Sequence, residues 1–253
     1  MSGHSKWSSI KHKKGAADAK RGKLFSKLAR AITVAARDGG GDPDGNPTLA
    51  TAVQKAREAS MPKDKIQKAI DVGTGAGADS AAIERILFEG YGPAGVAVLV
   101  EALTDNRNRA SAEIRHAFSK HGGSLGEPGS VAWIFEKRGA IVVDGNRYGE
   151  DDLMAAIEAG AEDVREDGEQ LRVLTDPHDL TTVRKALEDS GVEIVSAGLA
   201  TEPKSTVELK GHDAEQVLKL LDALDEDDDV DEVFANFDIP EDVLEKLAAE
   251  AAS

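Results

Sequence analysis

The chain has 253 residues with 31 basic and 47 acidic side chains, a formal net charge of −16, and a length that suits one large domain or two to three small ones. It contains no cysteine, which excludes disulfides, thiolate metal sites and cysteine nucleophiles and fits a reducing cytosol. No apolar run approaches the roughly 18 residues of a membrane span, and the first residues lack the apolar stretch of a signal peptide. We therefore expect a cytoplasmic protein without a membrane partner, although its basic, serine-containing start also resembles an organellar transit peptide.

Charge is divided sharply along the chain. Up to Ile70 there are 15 basic and 6 acidic residues, a net charge of +9, and beyond it 16 basic and 41 acidic residues, a net charge of −25. A basic segment joined to an acidic body attracts polyanions at one end and repels them elsewhere, which orients an encounter. Nucleic acid is therefore the leading partner class, and the acidic part is left as a surface for protein partners.

The N-terminal part has the pattern of a basic arm followed by three helices. Residues 1–15 have no helical period and predict a flexible arm. From about 18 to 37 apolar residues recur on one face of a helix, and basic residues occupy the other face. After the GGGDPDG break, Asn46 is placed to cap a second helix that has Pro47 at its first position. A third helix is predicted over 62–73, so this part is expected to be all-helical.

Beyond a glycine-rich linker at 73–80 the hydrophobic period changes to that of strands. A complete βαββαβ unit, the ferredoxin-like or split-βαβ arrangement, spans about 140 to 199. The runs before it (83–135, including a strand at 131–135) and after it (205–237) are each too small for a complete sheet, so we expect them to join. The predicted fold is α+β, with an all-helical N-terminal domain (1–75), a discontinuous α+β domain (80–137 plus 204–240) and a ferredoxin-like domain (138–203) inserted into it.

Motifs of catalytic and metal sites fail in their context. The glycines of a dinucleotide fingerprint at 73–78 follow a helix instead of a strand, and the G-x-S-x-G at 122–126 leaves a helix instead of opening one. His116 and His121 do not share a helix face and make a poor zinc pair. The acidic run 225–229 lacks the turn glycine of a calcium loop. We predict no enzymatic activity, no metal and no cofactor.

Lysines interleaved with one aromatic residue make the arm the strongest candidate for nucleic-acid binding. Lysines neutralise phosphates and release condensed counterions, and an exposed indole stacks on a base for roughly 1–3 kcal/mol. The alternative is that Trp7 packs under the first helices and the lysines only solvate the arm. The candidate residues of the arm and of the first helix are Lys6, Trp7, Lys11, His12, Lys13, Lys14, Lys20, Arg21, Lys23, Lys27 and Arg30.

A second cluster lies at a strand-to-helix turn inside the acidic half. It consists of Asn106, Arg107, Arg109 and Arg115. The planar guanidinium group suits phosphate because it donates two parallel hydrogen bonds, and a helix N-terminus adds unpaired backbone N–H groups. The alternative is a set of structural ion pairs with nearby carboxylates, and both interpretations stay open.

Several long stretches resemble one protein family. They are GHSKWSSIKHKKGAADAKRGKLFSKLAR, GGGDPDGNP, FEGYGPAGVAVLVEALTDNRNR and HAFSKHGGSLGEPGSVAWIFEKRG. From residue 3 to about 240 the chain resembles the YebC/PmpR family, which includes the mitochondrial translational activator of cytochrome oxidase subunit I. The resemblance implies a helical domain and two α+β domains around a cleft. His121 stands where many members have cysteine, which argues against a thiol function at that position.

The resemblance also implies a function. Members have been described as DNA-binding transcriptional regulators, and others act on ribosomes and assist translation of difficult sequences. Carried over by motif, the implicated positions are the arm, the basic face of the first helix and the 106–109 turn. We therefore predict a non-enzymatic, DNA-binding transcriptional regulator. The alternatives are a ribosome-associated translation factor that binds ribosomal RNA and relieves stalled synthesis, and a protein-interaction scaffold whose basic arm is only a targeting tail.

Overall fold

The structure is a computed structural model that describes residues 18–75 and 83–240, and these residues form two compact units. The large unit consists of residues 18–75, 83–132 and 211–235, and the small unit consists of residues 133–210 and 236–240. The predicted α+β class is confirmed, and the small unit interrupts the large one in sequence as an inserted domain does. The finer division into three domains stays a prediction, because the N-terminal helices and the first sheet belong to the same unit.

Three helices open the large unit. They are α1 (Asp18–Gly39), α2 (Pro47–Glu58) and α3 (Lys63–Gly73). Their apolar faces meet in one core that includes Ile32, Leu49, Val53 and Ile66. Since the buried residues recur at helical spacing, the helices form because each can bury one stripe against the other two.

Asn46 joins the end of α1 to the start of α2. Its side-chain oxygen accepts a hydrogen bond from the Leu49 backbone N–H at 3.1 Å, as the sequence predicts for an N-cap. Its side-chain amide donates to the carbonyl oxygens of Ala35 at 2.8 Å and Gly40 at 2.9 Å. The buried amide therefore satisfies backbone groups at the C-terminal end of one helix and at the N-terminal end of the next.

The rest of the large unit is a four-stranded antiparallel sheet with two helices. Its elements are β1 (Glu84–Tyr91), β2 (Ala97–Thr104), α4 (Arg107–Lys120), β3 (Ser124–Leu125), α7 (Gly211–Asp225) and β9 (Val230–Ala235). The strand order is β3-β1-β2-β9, so β9, which starts at Val230, completes a sheet that begins with β1 at Glu84, 146 residues earlier in the sequence. Val100 lies between Phe88 of β1 and Val233 of β9, which fixes the register. Strand β2 is almost wholly buried, as expected for a central strand.

The small unit has the ferredoxin-like arrangement. Its elements are β4 (Phe135–Asp144), α5 (Met154–Glu158), β5 (Ala161–Asp167), β6 (Gln170–Thr175), α6 (Leu180–Asp189) and β7 (Ile194–Pro203). Two further short strands, β8 (Val207–Glu208) and β10 (Phe237–Asp238), pair with each other in parallel. The sheet order β5-β6-β4-β7, with every neighbouring pair antiparallel, is that of a split βαβ fold. Its core includes Ile141, Leu153, Val173 and Leu187.

One predicted strand is wrong. The sequence predicts a strand over 131–135, but the chain there forms a 3₁₀ turn over Ala132–Ile134 before β4 begins. The reason is a buried carboxylate: Glu89 accepts hydrogen bonds from the backbone N–H groups of Val131 and Ala132, both at 2.7 Å. Those donors are consequently not available to a neighbouring strand.

None of the helices in the described ranges combines the length and hydrophobicity needed to cross a membrane.

Candidate nucleic-acid interface

Helix α1 presents a row of cations on one side. Lys23, Lys27 and Arg30 follow one another at spacings of four and three residues, which places them on the same face. The opposite side of the helix, including Ile32 and Ala35, packs into the helical core. The sequence therefore places charge and core contacts on different sides of α1, as predicted.

The cationic row of α1 contacts the acidic loop 225–229, which joins α7 to β9 in the same unit. The Lys23 ammonium lies 3.5 Å from the Asp228 carboxylate. Lys27 donates a hydrogen bond to the backbone carbonyl of Asp225, and Arg30 donates to the carbonyl of Asp228. The loop thus offers the helix both carboxylates and carbonyl oxygens, and it neutralises part of the charge that the sequence assigned to nucleic acid.

Asp229 is the centre of these contacts. Its side chain is 2% exposed and receives Arg30 at 3.2 Å. It also accepts hydrogen bonds from two nitrogens of Arg109, from Nε to Oδ2 at 3.0 Å and from Nη2 to Oδ1 at 2.9 Å, in the forked geometry that matches a carboxylate. The hydrogen bonds to Asp229 raise the pKa of Arg109, and Asp105 at 3.0 Å adds to this effect. One buried carboxylate therefore links α1, α4 and the loop before β9.

A second contact joins α2 to strand β9. Lys55 forms an ion pair with Glu232. Burial alone would lower the pKa of Lys55, but the charge and hydrogen bond of Glu232 outweigh it, so this pKa is raised. The pKa of the neighbouring Asp231 is also raised, to about 6, because burial and the negative charges of Glu232 and Glu101 disfavour its charged form. The strand edge therefore carries more negative charge than the cations beside it compensate.

The contacts of α1 line a cleft of about 700 Å³ within the large unit. Besides Lys23, Arg30 and Arg109, its lining includes Glu113, His116, Lys120, His121 and the residues 226–229. The side-chain oxygens of Glu113, Asp227 and Asp229 lie within 4.8 Å of one another. Partial burial and the charges of those two aspartates raise the pKa of Glu113. Cationic and anionic side chains thus occupy the same cleft, and each set is compensated by the other.

The loop 126–132 beside β1 is held by Glu89. Its carboxylate is 7% exposed and accepts backbone N–H groups from Gly129 at 2.6 Å and from Val131 and Ala132. Burial by itself would raise the pKa of Glu89, but the three backbone donors lower it below its ordinary value. The EPGSVAW stretch is therefore anchored to the sheet by one internal carboxylate.

The predicted site residues have different places in the structure. Those of the arm, together with the side chain of Lys20, lie outside the described residues, namely Lys6, Trp7, Lys11, His12, Lys13, Lys14 and Lys20. Of the remainder, Lys23, Lys27, Arg30 and Arg109 converge on the loop 225–229, whereas Arg21, Arg107 and Arg115 are exposed. Asn106 caps α4 by accepting the Arg109 backbone N–H at 3.1 Å. Binding of nucleic acid by any of them stays a prediction.

The residues that the sequence reasoning missed are the acidic partners in 225–232. By its pattern the acidic run 225–229 suggests only a calcium loop, which it fails to match because it lacks the turn glycine. Its connection to α1 spans 198 residues of sequence between Lys27 and Asp225, so local spacing gives no signal of it. The opposite charges of the two segments are the only feature that could have suggested their contact.

Comparison with known proteins identifies the family. The description "TACO1/YebC protein N-terminal domain" matches residues 5–76, and "TACO1/YebC second and third domain" matches residues 83–237. The chain belongs to the YebC/PmpR family. A relative from Rubrobacter xylanophilus is 60% identical over 98% of this chain and 100% of its own length, and one from Desulfatibacillum aliphaticivorans is 56% identical over 96% and 99%. Both are named probable transcriptional regulatory protein.

A solved structure supports the same assignment. The crystal structure of a conserved hypothetical protein from Aquifex aeolicus superposes with a TM-score of 0.78 at 48% sequence identity, covering 90% of this chain and 94% of that one. The resemblance inferred from the sequence is therefore confirmed for family and fold. The names of these YebC/PmpR relatives indicate a regulatory protein.

Proposed function

We propose that this YebC/PmpR protein is a non-enzymatic, nucleic-acid-binding regulator of transcription that acts in the cytoplasm. The observation that carries the proposal is the concentration of positive charge, +9 up to Ile70, in a chain whose remainder is −25. Phosphate contacts from lysine and arginine supply most of the non-specific affinity for nucleic acid, so affinity is expected to reside in this N-terminal part. The relatives named as probable transcriptional regulatory proteins support the same direction.

The acidic part of the chain beyond Ile70 has a complementary role in the proposal. Its net negative charge repels a polyanion, so the nucleic acid is held at the N-terminal part and kept away from the two sheets. The sheet surfaces remain available for protein partners. Asp231 and Glu232 on β9 belong to this repelling surface, because the Lys55 beside them compensates only one of the two charges.

A second candidate, a ribosome-associated translation factor, is favoured by the contacts of α1. A helix that reads a DNA major groove presents one face of side chains to base edges. The cationic face of α1 instead contacts the loop 225–229 through Lys23, Lys27 and Arg30. Cations spread over several elements suit irregular RNA, whose single strands and phosphate channels favour charge and stacking over groove geometry.

The two candidates differ in one measurable quantity. A DNA-binding regulator has a specificity ratio of about 10³ or more for its site over random duplex at physiological salt. We expect such a ratio for genomic fragments selected by the protein, and we expect it to depend on residues 1–14. Absence of the ratio together with co-sedimentation on ribosomes would favour the translation factor. Unchanged binding to both DNA and RNA after deletion of 1–14 would leave only the scaffold interpretation.

A further inference from the structure

Apart from Arg37, which pairs with Asp38 and donates a hydrogen bond to the Ile83 carbonyl, the described cations of the helical segment fall into two sets. The first set contacts the acidic part of the large unit and consists of Lys23, Lys27, Arg30 and Lys55. The second set is exposed and consists of Arg21, Arg57, Lys63, Lys65 and Lys68. Among the residues that the structure describes, no ion pair involves any member of the second set.

Helix geometry places the two sets on different sides. On α2 the core contact is Ala56, and successive residues turn by about 100°, so Lys55 and Arg57 point to opposite flanks. Lys55 lies on the side of α2 that contacts β9, and Arg57 lies on the opposite side of the helix. On α1 the same turn separates Arg21 from Lys23 by about 200°.

Three members of the second set, Arg21, Lys65 and Lys68, lie on two neighbouring helices, α1 and α3. Helices α1 and α3 run side by side in the same direction, because Thr33 donates a hydrogen bond to the Ala69 carbonyl at 3.0 Å and the Lys65 ammonium lies 5.4 Å from the centre of the Phe25 ring. Arg21 precedes Phe25 by one turn and therefore lies beside the start of α3. Lys65 and Lys68 share a face of α3 at a spacing of three residues.

Charge balance distinguishes the two surfaces. The first set, with Arg109, supplies five cations against seven carboxylates in 225–232, an excess of two negative charges. The second set supplies five cations against Glu58, Asp64 and Asp71, an excess of two positive charges. A phosphate polymer is repelled by the first surface and attracted by the second.

We propose that the surface formed by Arg21, Arg57, Lys63, Lys65 and Lys68, here called the open basic face, binds the sugar-phosphate backbone of nucleic acid. The row Lys23, Lys27 and Arg30 serves instead to dock α1 on the loop 225–229. The inference rests on the proposed function and assigns its phosphate contacts, within the described chain, to the α1 flank of Arg21 and to α2 and α3. It differs from the sequence prediction, which listed Arg21 together with Lys23, Lys27 and Arg30 and included no cation of α2 or α3.

The test is a salt titration of binding by the full-length chain. The probes are a random 30-base-pair DNA duplex and a single-stranded RNA 30-mer, which separate the two sources of phosphate. Lys65→Ala with Lys68→Ala is expected to lower the slope of log K against log salt by about 1.8 on duplex or about 1.4 on single strands, and to weaken binding about 10-fold at physiological salt. The matched control is Lys137→Ala with Lys185→Ala, two exposed lysines of the small unit that remove the same charge.

The possible results distinguish a failure of the open basic face from a failure of the proposed function. Replacement of Lys65 and Lys68 by arginine keeps both positive charges, so this variant is expected to have the slope of the unmodified protein. The contact of Lys65 with the Phe25 ring does not change this expectation, because the slope depends on the number of charges that meet phosphates. If the unmodified protein binds neither probe, the proposed function fails. If it binds but the Lys65→Ala, Lys68→Ala variant has the slope of the control, the open basic face is refuted while the function stands.

Discussion

Replacing Asp229 by asparagine tests the junction between α1, α4 and the loop 225–229. The change keeps the shape of the side chain but removes the charge that receives Arg30 and two nitrogens of Arg109. Breaking a fully buried ion pair costs about 3–5 kcal/mol, and a hydrogen bond to a charged group contributes about 1.5–3 kcal/mol. The Arg109 and Arg30 side chains are 44% and 28% exposed, so water can solvate them once the carboxylate charge is gone. We therefore expect Asp229→Asn to lower the free energy of unfolding by about 2–3 kcal/mol.

The adjacent residue provides a matched control. Asp228 is 58% exposed and its carboxylate lies 3.5 Å from a Lys23 side chain that is 60% exposed. Exposed pairs of this kind contribute about 0–1 kcal/mol, and the Asp228 group that receives Arg30 is its backbone carbonyl, which Asp228→Asn leaves in place. Urea denaturation and calorimetry on both variants measure the difference, with a fall in Tm of about 4–10 °C expected only for Asp229→Asn. Equal effects of the two changes, or no effect of Asp229→Asn, would refute the view that one buried carboxylate holds this junction.

Three further changes test the internal polar groups. Because the folded-state pKa of Glu89 is lowered, its stabilisation is present above the unfolded carboxyl pKa and is lost as the pH falls through the folded value. Glu89→Gln should therefore cost about 2 kcal/mol at pH 7 and progressively less as the pH falls below the unfolded carboxyl pKa in urea titrations, and a difference that stays constant with pH would contradict this. The pKa of Asp231 is raised to about 6, so its charged form destabilises the folded state above that pH. Asp231→Asn should therefore raise the free energy of unfolding by about 1–2 kcal/mol at pH 7.5 and by little at pH 4. An equal gain at both pH values would contradict a raised pKa at Asp231. Asn46→Asp should lower the free energy of unfolding by about 2–3 kcal/mol at pH 7, because a carboxylate keeps the N-cap acceptor but replaces the amide that donates to Ala35 and Gly40. An unchanged free energy of unfolding in urea titrations would show that the amide donors are unimportant.

The sequence predicts the elements of this fold well where local chemistry decides them. Asn46 and Pro47 stand at the positions that start α2, and Asn106 stands where α4 begins. The βαββαβ period of the small unit is likewise visible as alternating stretches of helical and strand pattern. In each case the signal lies within a few residues of the element it specifies.

What the sequence could not predict depends on partners far apart in the chain. Arg109 left phosphate binding and ion pairing equally open, and its carboxylate partner Asp229 lies 120 residues away. The strand predicted over 131–135 fails because Glu89, about 42 residues earlier, binds its backbone N–H groups. The row Lys23, Lys27 and Arg30 was predicted to bind nucleic acid, and its contact with the loop 225–229 could not be read from the sequence, because the same cations suit an internal acidic loop and an external phosphate. Deciding between them requires knowing which surface the fold covers.

Crosslinking in living cells, followed by sequencing of the DNA and RNA recovered with the protein, tests whether the N-terminal part of the chain binds nucleic acid. We expect recovered nucleic acid well above an uncrosslinked control, with crosslinked peptides that map to the N-terminal part of the chain up to residue 75. Crosslinks found only in the acidic sheets, or no recovered DNA and RNA, would contradict it.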